Sequence, residues 1–382
     1  MINGERVRQA REMRALTQTA LAERVGMSQP YIAQVESGYL QPSKEVLEAV
    51  ALQTGFPPAF FRQESTTNFP EGSLLFRARR SITATQRAQA HQYAKTIFEG
   101  VERMAEKLEV VPVRLPRGLE DPRAAAQDAR AALGLPPDTP IRHLINTVEK
   151  GGVLVLALPV ALEKRDAYSL WAGHRGQKPV IVVAGEAPGD RLRFSVAHEL
   201  GHLILHREHP KTEKEMDDEA DRFASEFLLP EEPMRHELVT PITLTGLAQL
   251  KLRWRVSIQA LIRRARDLDI ITERQYKYLF QKLSKLGWRK QEPKNFAVPV
   301  EKPRAVRQMA ELLYGKPIDS RRLADDAKLT EQFVREVIDA YQGAGKPKST
   351  DARSTRAQVV SLKGRSEGHR NALGADRRGD TW

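Results

Sequence analysis

Residues His198-Glu199-Leu200-Gly201-His202 spell H-E-x-x-H within the run 194–206. On a helix, two histidines four residues apart project from the same face and lie about one turn from each other, so the motif works as a pair only where the segment is helical. The surroundings agree. Phe194, Val196, Ala197, Leu200, Leu203, Ile204 and Leu205 give this helix the apolar character of a buried element. There, His198 and His202 can share one metal ion, and Glu199 beside them can hold a water and take its proton. The competing reading is a structural helix in which the motif has no chemistry.

A chain of 382 residues with no cysteine can hold a metal only through His, Asp or Glu, and its lack of disulfides fits a reducing cytoplasm. A catalytic zinc takes three protein side chains and a water, so a third ligand must come from elsewhere. His206 is unsuited: it stands eight residues from His198, roughly 12 Å along a helix, and is better suited to a cap or to the surroundings of the site. The extended motif with a further Gly and His is missing, since Leu205 and Glu208 occupy those positions. The next helix, expected over residues 217–229, carries an apolar stripe of Ala220, Phe223, Ala224, Phe227 and Leu228. Asp217 lies at the end of that stripe and is the first candidate, with the longer Glu219 as the alternative. Asp221, four residues on, would accept a hydrogen bond from a ligand histidine. The bland reading of these acids is a solvated run at a helix N-terminus. Tyr168 and His174 are weak candidates for stabilising an oxyanion.

The chain is long enough for two or three domains. Residues 1–62 read as an all-α bundle: helices over 4–13, then one capped by Thr17 and stopped at Gly26, one capped by Ser28 and stopped at Gly38, and one over 44–54. This is a helix-turn-helix pattern. The second short helix would read the major groove of double-stranded DNA through Gln29, Tyr31 and Gln34, while Gln18 and Ser28 would meet phosphates. Ala22, Val25, Ile32, Val35, Leu47 and Val50 read as core. The competing reading is a bundle used for protein contacts.

Residues 63–138 read as a helical connector with helices near 85–108 and 121–133 and a basic stretch, RARR, at 77–80. Residues 139–290 carry a helix over 141–150, strands at 153–158, 167–171 and 179–184, the H-E-x-x-H helix at 190–206, and further helices at 217–229, 243–265 and 272–285. A linker over 287–303 leads to a small helical unit at 304–342, and residues 343–382 read as a disordered basic tail. The fold class expected is mixed and mostly α: a helix-turn-helix bundle followed by an α+β domain with a small sheet.

The net charge of +12 invites a nucleic-acid partner. Its distribution does not single out the bundle, because residues 343–382 carry nine Lys/Arg against four Asp/Glu and residues 1–62 only seven against six. The motif, not the charge, points to DNA. No apolar run reaches the ~18 residues of a membrane span, and the N-terminus lacks a signal-peptide core, so a cytoplasmic protein without a membrane partner is expected.

Residues 16–38 (LTQTALAERVGMSQPYIAQVESG) resemble the repressor/Cro-type, or XRE, helix-turn-helix. Residues 193–206 (RFSVAHELGHLILH) followed by 219–230 (EADRFASEFLLP) resemble the ImmA/IrrE family of zinc metallo-endopeptidases. The resemblance implies a zincin-like second domain, a Zn2+ cofactor, His198 and His202 as ligands and Glu199 as catalyst. The family's acidic ligand, usually Glu, falls at Asp217 here, one methylene shorter. The implied function is a bacterial DNA-binding regulator that hydrolyses a peptide bond in a partner, a helix-turn-helix repressor or antitoxin-type protein. The alternative is a repressor or antitoxin whose metal domain is a non-catalytic sensor or dimerisation module. A homodimer is the default for reading symmetric operators.

Overall fold

Side-chain caps set the bounds of the N-terminal helices. Asn3, Thr17, Ser28 and Ser43 each accept a backbone N–H at the start of α1 (Gly4–Met13), α2 (Gln18–Val25), α3 (Gln29–Glu36) and α4 (Lys44–Thr54). Gly26 and Gly55, at φ 69° and 70°, end α2 and α4 in the left-handed conformation that glycine adopts without strain. Ala22, Val25, Ile32, Val35, Leu47 and Val50 are all buried between these helices. The computed structural model describes residues 1–64, 67–71, 83–161, 167–185, 187–207, 211–342 and 360–362.

Helix α5 (Ala84–Ala105) begins at a Thr83–Gln86 capping box and lies along α1. Polar side chains fasten the two. Arg6, 1% exposed, donates to Glu99 at 2.6 Å and to Gln9 at 2.7 Å. Gln9 donates to Thr96 at 2.9 Å, and Gln92 donates to Glu12 at 2.8 Å. The connector is thus bonded side chain to side chain with the helix-turn-helix bundle. The basic stretch at 77–80 lies outside the described residues.

After β1 (Leu108–Val110) and α6 (Pro122–Ala132) comes α7 (Leu144–Lys150). This helix starts three residues later than its apolar pattern suggests, and the carbonyl of Ile141 accepts a bond from the buried Arg193 instead. Strands β2 (Leu154–Leu158), β3 (Ala167–Ala172) and β4 (Lys178–Ala184) form a sheet ordered β2-β4-β3. β2 runs parallel to β4, with Leu154 opposite Val180; β3 runs antiparallel to β4, with Ala167 opposite Val183. All three strands are nearly continuously buried, as a covered sheet requires.

Helix α8 (Gly189–Leu205), which carries the H-E-x-x-H motif, packs on β3 and β4, and α9 (Glu213–Leu228) packs on α8. α9 begins four residues before the apolar pattern suggests, because Thr212 and Glu215 form a capping box. Gly201 lies at its contact with α8: a Cβ there would meet Phe223 Cδ1 at 3.0 Å and Cβ at 3.2 Å. α10 (Glu231–Glu237) follows.

The single helix expected over 243–265 is two, α11 (Leu244–Trp254) and α12 (Ile258–Asp267). Arg255 turns left-handed at φ 57°, which buries Val256 and lets Ser257 cap the second helix. α13 is Glu273–Lys285.

The 304–342 segment folds as α14 (Ala305–Tyr314), α15 (Ser320–Ala327) and α16 (Glu331–Ala340), and α14 packs on α5 and β2 while α16 packs on β2. Phe333 stacks on Tyr93 of α5 and contacts Phe56 of the bundle, and Ala157 of β2 donates its N–H to Tyr341 Oη at 3.0 Å. Glu301, in the segment read as a linker, pairs with Arg193 of α8. Glu149 of α7 accepts the backbone N–H groups of Arg304 and Ala305 at the start of α14. Burial pushes its carboxyl up to about 7 despite those bonds. Of the segment read as a disordered tail, residues 360–362 are described. They form β5 (Val360–Leu362), which pairs antiparallel with the β1 edge.

Two substitutions test this architecture. Arg6→Met leaves Glu99 buried without its cation and is expected to cost about 3–5 kcal/mol of stability, read as a lowered urea midpoint. Gly201→Val drives a branched side chain into Phe223 and is expected to cost about 1–3 kcal/mol, read the same way.

Candidate metal centre and DNA-reading face

On α8, the 3.6-residue repeat stacks His198 and His202 one turn apart and turns Glu199 toward β3. Because Gly201 has no side chain, α9 lies close enough for its acids to reach those imidazoles. His198 Nε2 and His202 Nε2 are 3.0 Å apart, and Asp217 Oδ1 stands 3.7 Å from the first and 3.4 Å from the second. One ligand atom from each of these three residues falls within a 4.8 Å cluster. Ligand atoms ~2.0–2.1 Å from a tetrahedral zinc stand roughly 3.3 Å from one another. The three separations bracket that value, and two imidazoles with a carboxylate are a donor set that suits a divalent ion.

The electrostatics point the same way. Burial pulls the His198 imidazolium down, yet the carboxylates of Asp217, Asp221 and Glu199 outweigh it and hold the group up at about 9. Groups that favour a proton that strongly also favour a metal cation in its place. Asp221 Oδ1 lies 2.6 Å from His198 Nδ1, the ring nitrogen turned away from the cluster.

Glu199 is 3% exposed, and Ser169 Oγ on β3 donates to its Oε2 at 2.7 Å. Glu219, weighed as an alternative ligand, is turned elsewhere. Its carboxylate accepts from Lys211 Nζ at 2.8 and 2.9 Å and stands 3.0 Å from His206 Nε2. The helical step is the reason: two residues along α9 rotate Glu219 about 200° from Asp217. Burial pushes His206 down to about 4 despite the Glu219 bond. Tyr168 is fully buried with its hydroxyl 3.5 Å from the Ala90 carbonyl, and His174 is exposed at the start of a short 3-10 turn, His174–Gly176.

In the bundle, Ser28, Gln29 and Gln34 are exposed and Tyr31 is half-buried; Ser28, Gln29 and Tyr31 lie at the N-terminal end of α3 and Gln34 in its second half. Gln18 of α2 joins them: it donates to Glu36 at 2.8 Å and accepts from Gln29 at 2.7 Å. Glu36 is in turn gripped by Arg11 through two bonds of 2.6 and 2.9 Å, and the pair is buried.

Sequence reasoning missed Ser169, the Arg11–Glu36 pair and the contact between His206 and Glu219. Ser169 and Arg11 have no local signal, since their partners lie 30 and 25 residues away. For His206, the four-residue step from His202 was the signal available.

Among the described residues no helix is long and apolar enough to cross a membrane. Comparison with curated proteins gives no match. Two protein-family models do match: a helix-turn-helix model over residues 7–61, and the peptidase M78 model, described as an IrrE N-terminal-like domain, over residues 148–266. The second span contains the whole cluster, and the first contains α2, α3 and α4. The chain joins an XRE-type helix-turn-helix domain to an IrrE/ImmA-like peptidase M78 domain.

Proposed function

We propose that this chain is a DNA-binding transcriptional regulator whose second domain is a zinc-dependent endopeptidase, acting on a peptide bond in a partner repressor or antitoxin-type protein. The observation that carries the reading is the convergence of His198, His202 and Asp217 beside the buried Glu199. His198 and His202 would hold the ion through Nε2 and Asp217 through a carboxylate oxygen. Zinc held there supplies Lewis-acid activation of water and of the scissile carbonyl.

The residues of the chain account for the proton. Glu199 accepts the proton that water loses as its oxygen bonds to the carbonyl carbon. It then delivers that proton to the amine nitrogen as the C–N bond breaks. Ser169, donating to Glu199 Oε2, fixes the carboxylate against rotation. Asp221, 2.6 Å from His198 Nδ1, holds that ring with Nε2 toward the cluster.

For DNA, α3 would enter the major groove with Gln29, Tyr31 and Gln34 at the base edges and Ser28 near phosphate. The Gln18–Gln29 bond supports a reading face stiffened before contact, with Gln18 steadying Gln29 in addition to any phosphate bond. A two-fold dimer would match a symmetric operator.

Wild-type protein loaded with zinc and incubated with a candidate partner repressor should yield a cleavage product, and chelation should stop the reaction until zinc is restored. Glu199→Gln should slow cleavage by about 10²–10⁴-fold with zinc content unchanged. Intact partner with both proteins at full zinc content would sink the peptidase reading for that partner and favour a sensor role. For DNA, Gln34→Ala should weaken binding to a cognate operator by about 1–3 kcal/mol while non-specific binding holds, measured by fluorescence anisotropy. An unchanged sequence preference would remove Gln34 from the reading face.

A further inference from the structure

The two histidines of the centre are steadied through their outer ring nitrogens in different ways. His198 Nδ1 meets a carboxylate directly, Asp221 Oδ1 at 2.6 Å. His202 Nδ1 instead stands 2.9 Å from His206 Nδ1, and His206 Nε2 stands 3.0 Å from Glu219 Oε2. Lys211 Nζ donates to both oxygens of Glu219. The side chains of His206 and Glu219 are 4% and 13% exposed, so water competes little for these bonds.

Proton positions along this row follow from the chemistry of imidazole. A neutral ring that gives Nε2 to a cation carries its proton on Nδ1. His202 Nδ1–H therefore donates, and His206 Nδ1 must accept. The proton of a neutral His206 is then on Nε2, from which it donates to Glu219. Every atom in the row has one role, and the order ends on a carboxylate held by a cation.

We propose that His206 is a positioning residue that links the Glu219 carboxylate to His202, so that Asp221 and Glu219, both on α9, orient the two histidines of α8. The proposal rests on the reading of His198, His202 and Asp217 as a zinc site. Glu219 thereby acts on the centre through His206 rather than as a ligand. An apolar residue at position 206 would leave His202 Nδ1–H buried with no acceptor in this row and its ring free to rotate.

The test uses the full chain and measures zinc affinity by competition with a chromogenic chelator, together with the visible spectrum of the cobalt-substituted protein. His206→Leu should weaken zinc binding about 10–100-fold, Glu219→Ala should weaken it in the same direction, and His206→Gln should stay within about threefold of wild type. Glutamine rescues because its Oε1 can accept from His202 while its Nε2 donates to Glu219. The cobalt bands should shift in His206→Leu and return in His206→Gln, a pattern that a merely space-filling residue would not produce. Wild-type affinity and spectrum in His206→Leu would overturn the proposal. So would a glutamine variant as weak as the leucine one. If His206→Leu does not fold, by circular dichroism of the metal-free chain, Glu219→Ala carries the test, and unchanged zinc affinity there is decisive against it. Because the readout is metal binding, these failures with wild-type zinc uptake intact sink the relay alone. A wild-type chain that binds no zinc sinks the zinc-site reading and the relay with it.

Discussion

The contact between Gly201 and Phe223 is what the rest of the candidate centre depends on. A hydrogen in place of a side chain at position 201 lets α9 lie against α8, with Phe223 where a Cβ would otherwise crowd it. At that separation short acidic side chains on α9 reach imidazoles on α8, as the 3.4 Å from Asp217 to His202 and the 2.6 Å from Asp221 to His198 record. A wider gap would favour a longer acid. The Asp at position 217, one methylene shorter than the Glu usual in the resembling family, is therefore compatible with this spacing.

Buried polar contacts give the molecule a second kind of organisation. Arg6 with Glu99 joins α1 to α5, and Arg193 with Glu301 and Ile141 joins α8 to segments before and after it. Lys251, 2% exposed, pairs with Asp190 at the start of α8 and with Glu292. Each joins parts distant in sequence, and each would be costly to leave half-made in a low-dielectric interior. Consequently the helix bearing the histidines is anchored at its N-terminal half, while its C-terminal half faces α9.

Much of this was legible beforehand. The caps Thr17 and Ser28 with Gly26 gave the helices of the bundle their limits, because capping is a local exchange between a side chain and a nearby backbone N–H. Strands β2 and β4 were readable as short apolar runs next to glycines. The apolar stripe of α9 ranks Asp217 ahead of Glu219 from residue spacing alone. What was not legible depended on a left-handed residue or on distant partners. Arg255 splits an apparently continuous helix, yet nothing in its side chain favours that conformation over a helical one. The 304–342 segment reads as a separate unit because its stacking on Tyr93 and its bond to β2 join residues more than 180 positions apart.

The sequence by itself determined the pair of histidines on one helical face, the acid between them, and a short capped helix carrying Gln29 and Gln34 in the helix-turn-helix bundle. These follow from the 3.6-residue period and from capping, which act within a few residues. Only the tertiary structure decided which acids meet which imidazoles: Asp217 beside the Nε2 pair, Asp221 behind His198, and Glu219 on His206. It also decided that Ser169 grips Glu199 and that Gln18 lies between Glu36 and Gln29. Such pairings depend on how closely and at what rotation two elements pack. That is set by all the side chains in the interface together, so no single stretch of sequence contains it.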